Sequence, residues 1–242
     1  MPPSRKRKRQ STSVLANRWA AAKRRVRQRT NPMRRPNYAY IARQNVRLGP
    51  GPVPPSVKVK LRYSATYAST GAALDRRFSL NSIFSPEASG GGHQPLGRDQ
   101  YATFYNRYRV NTCRVTVQGS VDGLVSIGPA LVTVLADNAN SGFTDPFLAG
   151  EQQGAVAKIV PETHRYWFRK TYDCAKVTGV TKAAYLDDRF QALMSTNPAE
   201  AIIFHVIDST VAGGNLAAGH FKYTVTMDFD VTMFDPLALA QS

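Results

Sequence analysis

Phe221-Lys-Tyr-Thr-Val-Thr-Met-Asp-Phe-Asp-Val-Thr-Met233 places an apolar side chain at every odd position and a polar one at every even position. Seven alternations in a row match the two-residue repeat of a strand with one buried and one wet face, and they exclude a helix. The same rhythm recurs upstream. Val57, Val59, Leu61, Tyr63 and Tyr67 alternate with Lys58, Lys60, Arg62, Ser64 and Thr66, and Val115 and Val117 alternate with Arg114, Thr116 and Gln118. Ala130–Leu135 and Ala201–Ile207 are continuous apolar runs, the pattern of strands buried on both faces. Weaker strand patterns lie near Arg76–Phe84, His164–Cys174 and Lys182–Phe190, and a short helix fits Gly97–Tyr105. Gly, Asn, Asp and Pro clusters separate these segments, at Ser89–Gly92, Asp137–Gly142, Gly150–Gly154 and Ala212–Gly219. About eight strands without a βαβ rhythm predict an all-β sandwich, jelly roll or barrel.

Upstream of the strands the composition changes. Residues 1–50 hold 15 of the 32 Lys and Arg and no Asp or Glu; the first acid is Asp75. The remaining 17 bases nearly balance the 16 acids, so a body of net charge +1 carries a polycationic tail. High charge with few large apolar groups cannot offset the entropy of ordering, so residues 1–50 are expected to be disordered when free. Leu15, Trp19, Ala22 and Val26 share one helical face, which leaves open a basic helix formed on binding or a charged coil. Gly49-Pro-Gly-Pro-Val-Pro-Pro55 denies donors to a sheet and holds the chain extended. The expected organisation is therefore an arm over 1–50, a Pro/Gly linker over 51–55 and a shell-like β domain over 56–242.

A tail of this charge suits a polyanion. The candidate nucleic-acid-binding residues are Arg5, Lys6, Arg7, Lys8, Arg9, Arg18, Lys23, Arg24, Arg25, Arg27, Arg29, Arg34, Arg35, Arg43 and Arg47. Lys58, Lys60 and Arg62, on the polar face of the first strand, extend that set. Arginine dominates, and its planar fork pairs with phosphate through two hydrogen bonds. The cluster Arg5–Arg9 also has the form of a nuclear localisation signal, with a host import receptor as partner. Trp19, Tyr38 and Tyr40 are candidates for stacking on unpaired bases.

Catalytic patterns are missing. His93, His164, His205 and His220 lack metal-ligand spacing, and no nucleophile-elbow, zinc-protease or phosphate-loop motif occurs. Cys113 and Cys174 are too far apart for a C-x-x-C site. The paired acids Asp187-Asp188 and Asp228/Asp230 read as charge pairing in preference to a cation site. No catalytic residue, metal or cofactor is therefore expected. The longest apolar runs fall short of a membrane span and the N-terminus lacks an apolar signal region, so intracellular production without membrane insertion is the expectation.

The segment His93-Gln-Pro-Leu-Gly-Arg-Asp-Gln-Tyr-Ala-Thr-Phe-Tyr-Asn-Arg-Tyr-Arg-Val110, behind a basic arm and a Pro-rich hinge, resembles capsid proteins of circular, Rep-encoding single-stranded DNA viruses, the circovirus-like group. Phe78–Phe84 is similar to their second strand. The resemblance covers roughly residues 1–120 by motif and the rest by strand rhythm. It implies a single eight-stranded jelly roll of two four-stranded antiparallel sheets. It also implies a homo-oligomeric shell of sixty copies (T=1 icosahedral) around a circular single-stranded DNA genome, a virion location, and the host nucleus during assembly. A host-cell attachment factor is implied without being specified. Projected onto this chain, the strands are B 56–68, C 76–84, D 108–121, E 128–137, F 163–175, G 182–190, H 200–209 and I 219–234. In such a fold B and I are antiparallel neighbours, so Lys58, Lys60 and Arg62 should share a face with Asp228 and Asp230. The loops 85–96, 137–155 and 210–219 are long and Gly-rich, so they should lie at the ends of the sandwich and shape contacts or the outer surface. Two other functions fit arm and sandwich equally well: a coat protein of a small RNA virus or satellite, and a basic nucleic-acid-binding protein that never assembles. A cupin-like enzyme would need clustered His and carboxylate ligands, which the spacings do not offer.

Overall fold

A computed structural model describes residues 53–71, 75–123, 128–138, 141–162 and 164–238. Two antiparallel sheets face each other. The first contains β1 (Ser56–Ala68), β3 (Tyr105–Val121), β6 (Arg165–Asp173) and β9 (Phe221–Pro236), in the order β1-β9-β3-β6, with the two-residue β7 (Ala192–Leu193) added beside β3. The second contains β2 (Asp75–Ser79), β4 (Ala130–Asp137), β5 (Val156–Val160) and β8 (Ile203–Thr210), in the order β2-β8-β4-β5. Lettered along the chain with β7 left out, these orders are B-I-D-G and C-H-E-F, the double Greek key of a jelly roll.

Two projected strands move. The stretch 163–175, projected as F, is β6 and takes the G position beside β3. The F position belongs to β5, which the sequence pattern did not reveal. Its Lys158 stands opposite Val132, a core residue, and so occupies an inward phase. The edge position allows this, because the amine escapes between the sheets to donate to the Trp167 carbonyl at 3.3 Å. The stretch 182–190, projected as G, forms 3-10 turns at Ala184–Leu186 and Asp188–Phe190. Asp187 caps the second turn by accepting from the Arg189 amide, a local bond that competes with a sheet ladder. Tyr185 and Phe190 stack at 4.7 Å, and the Tyr185 hydroxyl donates to the Val110 carbonyl at 2.9 Å. The second strand also stops early, at Ser79. Buried Asn81 turns the chain there, donating to the Glu200 carbonyl at 2.7 Å and accepting from the Ile202 amide at 3.0 Å. The expected short helix is α1 (Arg98–Ala102).

The core lies between the sheets. Phe204 of β8 stacks on Phe168 of β6 at 6.0 Å and meets Tyr172 at 5.8 Å. Gly119 of β3 sits where the rings of Phe221 and Tyr223 close in; a Cβ there would stand 2.7 Å from Phe221 and 2.8 Å from Tyr223. A smaller apolar cluster seals the outer face of the second sheet. Leu135 and Ile207 pack there with Ala149 of α2 (Pro146–Glu151), and Phe143 and Ala155 border them. The segment 141–155 therefore covers this face rather than only capping the end of the sandwich. Cys113 and Cys174 are buried free thiols; Cys174 begins α3 (Cys174–Val177). Among the described residues no helix is long and apolar enough to cross a membrane.

Candidate nucleic-acid interface

The arm candidates, Arg5 to Arg47, together with the Arg5–Arg9 localisation signal and Trp19, Tyr38 and Tyr40, lie outside the described residues. Lys58, Lys60 and Arg62 lie within them, together on the outward phase of β1. β1 runs antiparallel to β9, with Lys58 opposite Thr232, Lys60 opposite Asp230 and Arg62 opposite Asp228. The Arg62 Nε donates to Asp228 Oδ1 at 2.6 Å. That hydrogen bond, with the charge behind it, raises the already high pKa of the guanidinium. Asp228 of β9 thus pairs with a base of β1, and Asp230 stands opposite another, as the jelly-roll neighbourhood requires. The other acid pair is also structural: Asp187 caps a turn, and Asp188 pairs with Arg107 at 3.1 Å. Among the described residues no group of three His, Cys, Asp or Glu side chains is placed to hold a metal.

The pairing of β3 with β9 and β6 brings further bases to this face. Arg114 stands opposite Asp228 on one side and Thr171 on the other, and its Nε reaches the Thr171 hydroxyl at 3.4 Å. Next along β6 come Arg169, opposite Thr116, then Trp167, opposite Gln118, then Arg165, opposite Ser120. Arg109 stands opposite Thr232, in the same row as Lys58. It lies over the Phe234 ring at 5.9 Å, and its Nε is buried without a hydrogen-bond partner. Burial lowers the Arg109 pKa, with Tyr185 opposing that shift. No ion pair holds Arg109, Arg165 or Arg169 among the described residues. Between Arg62 and Arg114 the surface dips into a depression of about 450 Å³, whose lining includes Lys60 and both acids, Asp228 and Asp230. Hydroxyl pairs tile the remainder: Ser64 with Thr226 at 3.0 Å and Thr66 with Thr224 at 3.1 Å. This is a broad, polar, largely uncovered surface with cations along both edges. It can take a flexible polyanion.

Arg109, Arg114, Arg165 and Arg169 were not among the candidates. Arg165, Trp167 and Arg169 alternate with buried Tyr166 and Phe168, so the period-two rule orients them. Assigning 163–175 to strand F put them in the wrong sheet.

No family model matches the sequence, nor does any curated protein. Solved structures do match in fold. A chain of Desmodium yellow mottle tymovirus is 14% identical over 81% of this chain and 97% of its own, with a TM-score of 0.41. Mud crab tombus-like virus is 14% identical over 84% and 99%, with a TM-score of 0.44. The 60-mer BFDV capsid protein is 8% identical over 77% and 97%, with a TM-score of 0.39.

Proposed function

We propose that this chain is a viral capsid protein that assembles with copies of itself and packages a single-stranded DNA genome through its basic arm, with the open face of the first sheet as the floor of the chamber. The observation that carries this reading is the segregation of charge. All the excess positive charge but one unit precedes the body, and the chain then leads into β1, where Lys58, Lys60 and Arg62 continue it. A body of net charge +1 lets like copies approach once salt screens them. The arms oppose assembly until a polyanion is present. Sixty arms of +15 would gather about 900 charges in one cavity, enough to neutralise on the order of 900 nucleotides. The Arg5–Arg9 cluster directs the chain to the host nucleus, where a DNA genome is available to package.

Sedimentation tests this. The full chain and a chain beginning at Ser56 are run with and without single-stranded DNA over a range of salt. The full chain should assemble best with DNA, and its binding should weaken steeply as salt rises, because counterions released into a more concentrated solution gain less entropy. The shortened chain should depend on DNA far less. A full chain that stays monomeric with DNA at every salt concentration removes the shell and leaves a simple binding protein. Equal tightness and salt sensitivity in both chains would refute the arm's role. A fluorescent fusion carrying residues 1–50 should concentrate in nuclei; a uniform cytoplasmic signal refutes the import signal.

A further inference from the structure

Trp167 is 54% exposed, whereas its strand neighbours Tyr166 and Phe168 are 3% and 7% exposed. The phase of β6 is therefore unambiguous, and the indole stands on the outer face of the first sheet. A large aromatic side chain left in water forgoes the burial free energy that its neighbours gain. Its setting is specific. Arg165 and Arg169 flank it at two residues on either side of the same face, about 13 Å apart along the strand. Across the sheet its row continues through Gln118, Thr224 and Thr66; the adjoining rows continue through Thr116, Thr226 and Ser64, and through Ser120, Lys222 and Ala68. Those three rows hold three bases; Lys222 is paired with Asp122 at 2.8 Å, and no ion pair among the described residues holds Arg165 or Arg169. The face acids Asp228 and Asp230 lie farther along β9, beside Arg62 and Lys60.

We infer that Trp167, with Arg165 and Arg169, is a stacking site for an unpaired base of single-stranded nucleic acid. This rests on the packaging reading above and adds to it a site on the body and a preference for unpaired bases. An indole face takes any base, so the contact suits a genome of arbitrary sequence, and a guanidinium on each side is placed for the phosphates that flank the base. A duplex keeps its base faces stacked inside and presents only edges and phosphates, so it satisfies the arginines and leaves the indole without a partner. A second copy of the chain is a poorer occupant. Covering this patch with an apolar surface would desolvate Arg165 and Arg169, which no ion pair among the described residues compensates.

The chain has only two tryptophans, Trp19 and Trp167. In full-length Trp19→Phe protein the emission therefore reports Trp167 alone. Oligothymidylate and a duplex of equal length are titrated in, and binding is followed in parallel by anisotropy of labelled oligonucleotide. Oligothymidylate should quench the emission by half or more, and the duplex by much less at equal occupancy. Trp167→Ala should weaken single-strand binding on the order of five- to a hundredfold at salt high enough to screen the arm, with Trp167→Phe retaining most of it. The thermal midpoint should not move, because the ring is exposed. If oligothymidylate binds while the emission stays unchanged, or if duplex quenches equally, the stacking site is wrong and the packaging reading stands. An emission change on assembly of protein alone assigns Trp167 to a contact between copies and overturns the site. If no oligonucleotide binds, the packaging reading itself fails.

Discussion

β8 and β9 hold equivalent places in the two sheets, each with a strand on either side, yet they meet their surroundings differently. From Ile203 to Ser209 every residue of β8 is buried, while β9 buries its odd positions only. The cause lies outside the strands. The segment 141–155 folds over β8 and β4, and no described segment covers the outer face of β9. The covered face excludes polar variation and holds its charges in fixed partnerships. His205 is fully buried between Asp75, 2.8 Å from Nδ1, and Asp137, 3.2 Å from Nε2, and the Phe143 amide donates to Asp75 at 3.0 Å. On the open face Arg109, Arg165 and Arg169 have no such partner among the described residues. One sheet is built to be closed by its own chain; the other is left for something else to complete.

The largest contrast should come from matched truncations. Phe204→Ala removes a ring held between the sheets and should cost about 3–5 kcal/mol. Thr224→Ala, on the open face of β9, should cost less than about 1 kcal/mol, since its hydroxyl bonds only to Thr66 near water. Denaturant midpoints measure both. Equal costs would mean that the inner and outer faces have been misassigned.

The second contrast is pH. Asp208 of β8 is buried at the sandwich end, near Arg76, Asp75, Glu87 and Tyr223. Burial pushes its carboxyl up to about 7, with Arg76 opposing. Burial alone would lower the His205 imidazole, but Asp75 and Asp137 outweigh it and the net shift is upward. Both folded pKa values exceed the unfolded ones. Each group therefore favours the fold most at low pH and loses that contribution as pH rises through its folded value. For Asp208 the loss runs from about pH 4 to beyond 7 and amounts to a few kcal/mol. Asp208→Asn, which mimics the protonated acid, should be more stable than the natural chain at pH 8, with the gap narrowing toward pH 5. A gap independent of pH would show that Asp208 is ionised throughout.

A smaller effect belongs to Gly119. An added methyl meets Phe221, Tyr223 and the Lys222 carbonyl at 2.7–2.8 Å, so Gly119→Ala should destabilise by about 1–3 kcal/mol. Ser120→Ala, one residue on and facing outward, should be close to neutral. If both are neutral, the rings have room to move apart and the core at this end is looser than described.

What the sequence disclosed follows the same division. Strict alternation revealed β9 and β1, unbroken apolar runs revealed β8 and β4, and the expected neighbourhood of β1 and β9 put Lys58, Lys60 and Arg62 on one face with Asp228 and Asp230, as found. Period two states which side chains share a face within one strand. It does not state which strands are neighbours. β5 escaped notice because a lysine can occupy an inward phase at an edge, and the turns at 184–190 passed for a strand because Tyr185 and Phe190 are buried without regular alternation. Those two readings shifted a single letter, and that shift removed Arg165, Trp167 and Arg169 from the candidate face.

The smallest expected effect tests whether the open face is stabilised by its own charges. Arg62 and Asp228 make the shortest ion pair on that face, at 2.6 Å, but the Arg62 side chain is 70% exposed. Water already solvates the guanidinium well, and holding a long side chain in one geometry costs entropy, so such a pair contributes little to folding. In a double-mutant cycle of Arg62→Ala and Asp228→Ala, the coupling in the unfolding midpoint should be near the limit of detection and vanish in 1 M salt. Nucleic-acid binding should respond in opposite directions. Arg62→Ala removes a phosphate partner and weakens it, whereas Asp228→Ala releases Arg62 and Arg114 from a neighbouring acid and strengthens it. Identical signs for the two variants would mean that the pair acts as a structural unit and that the polyanion passes elsewhere on the sheet.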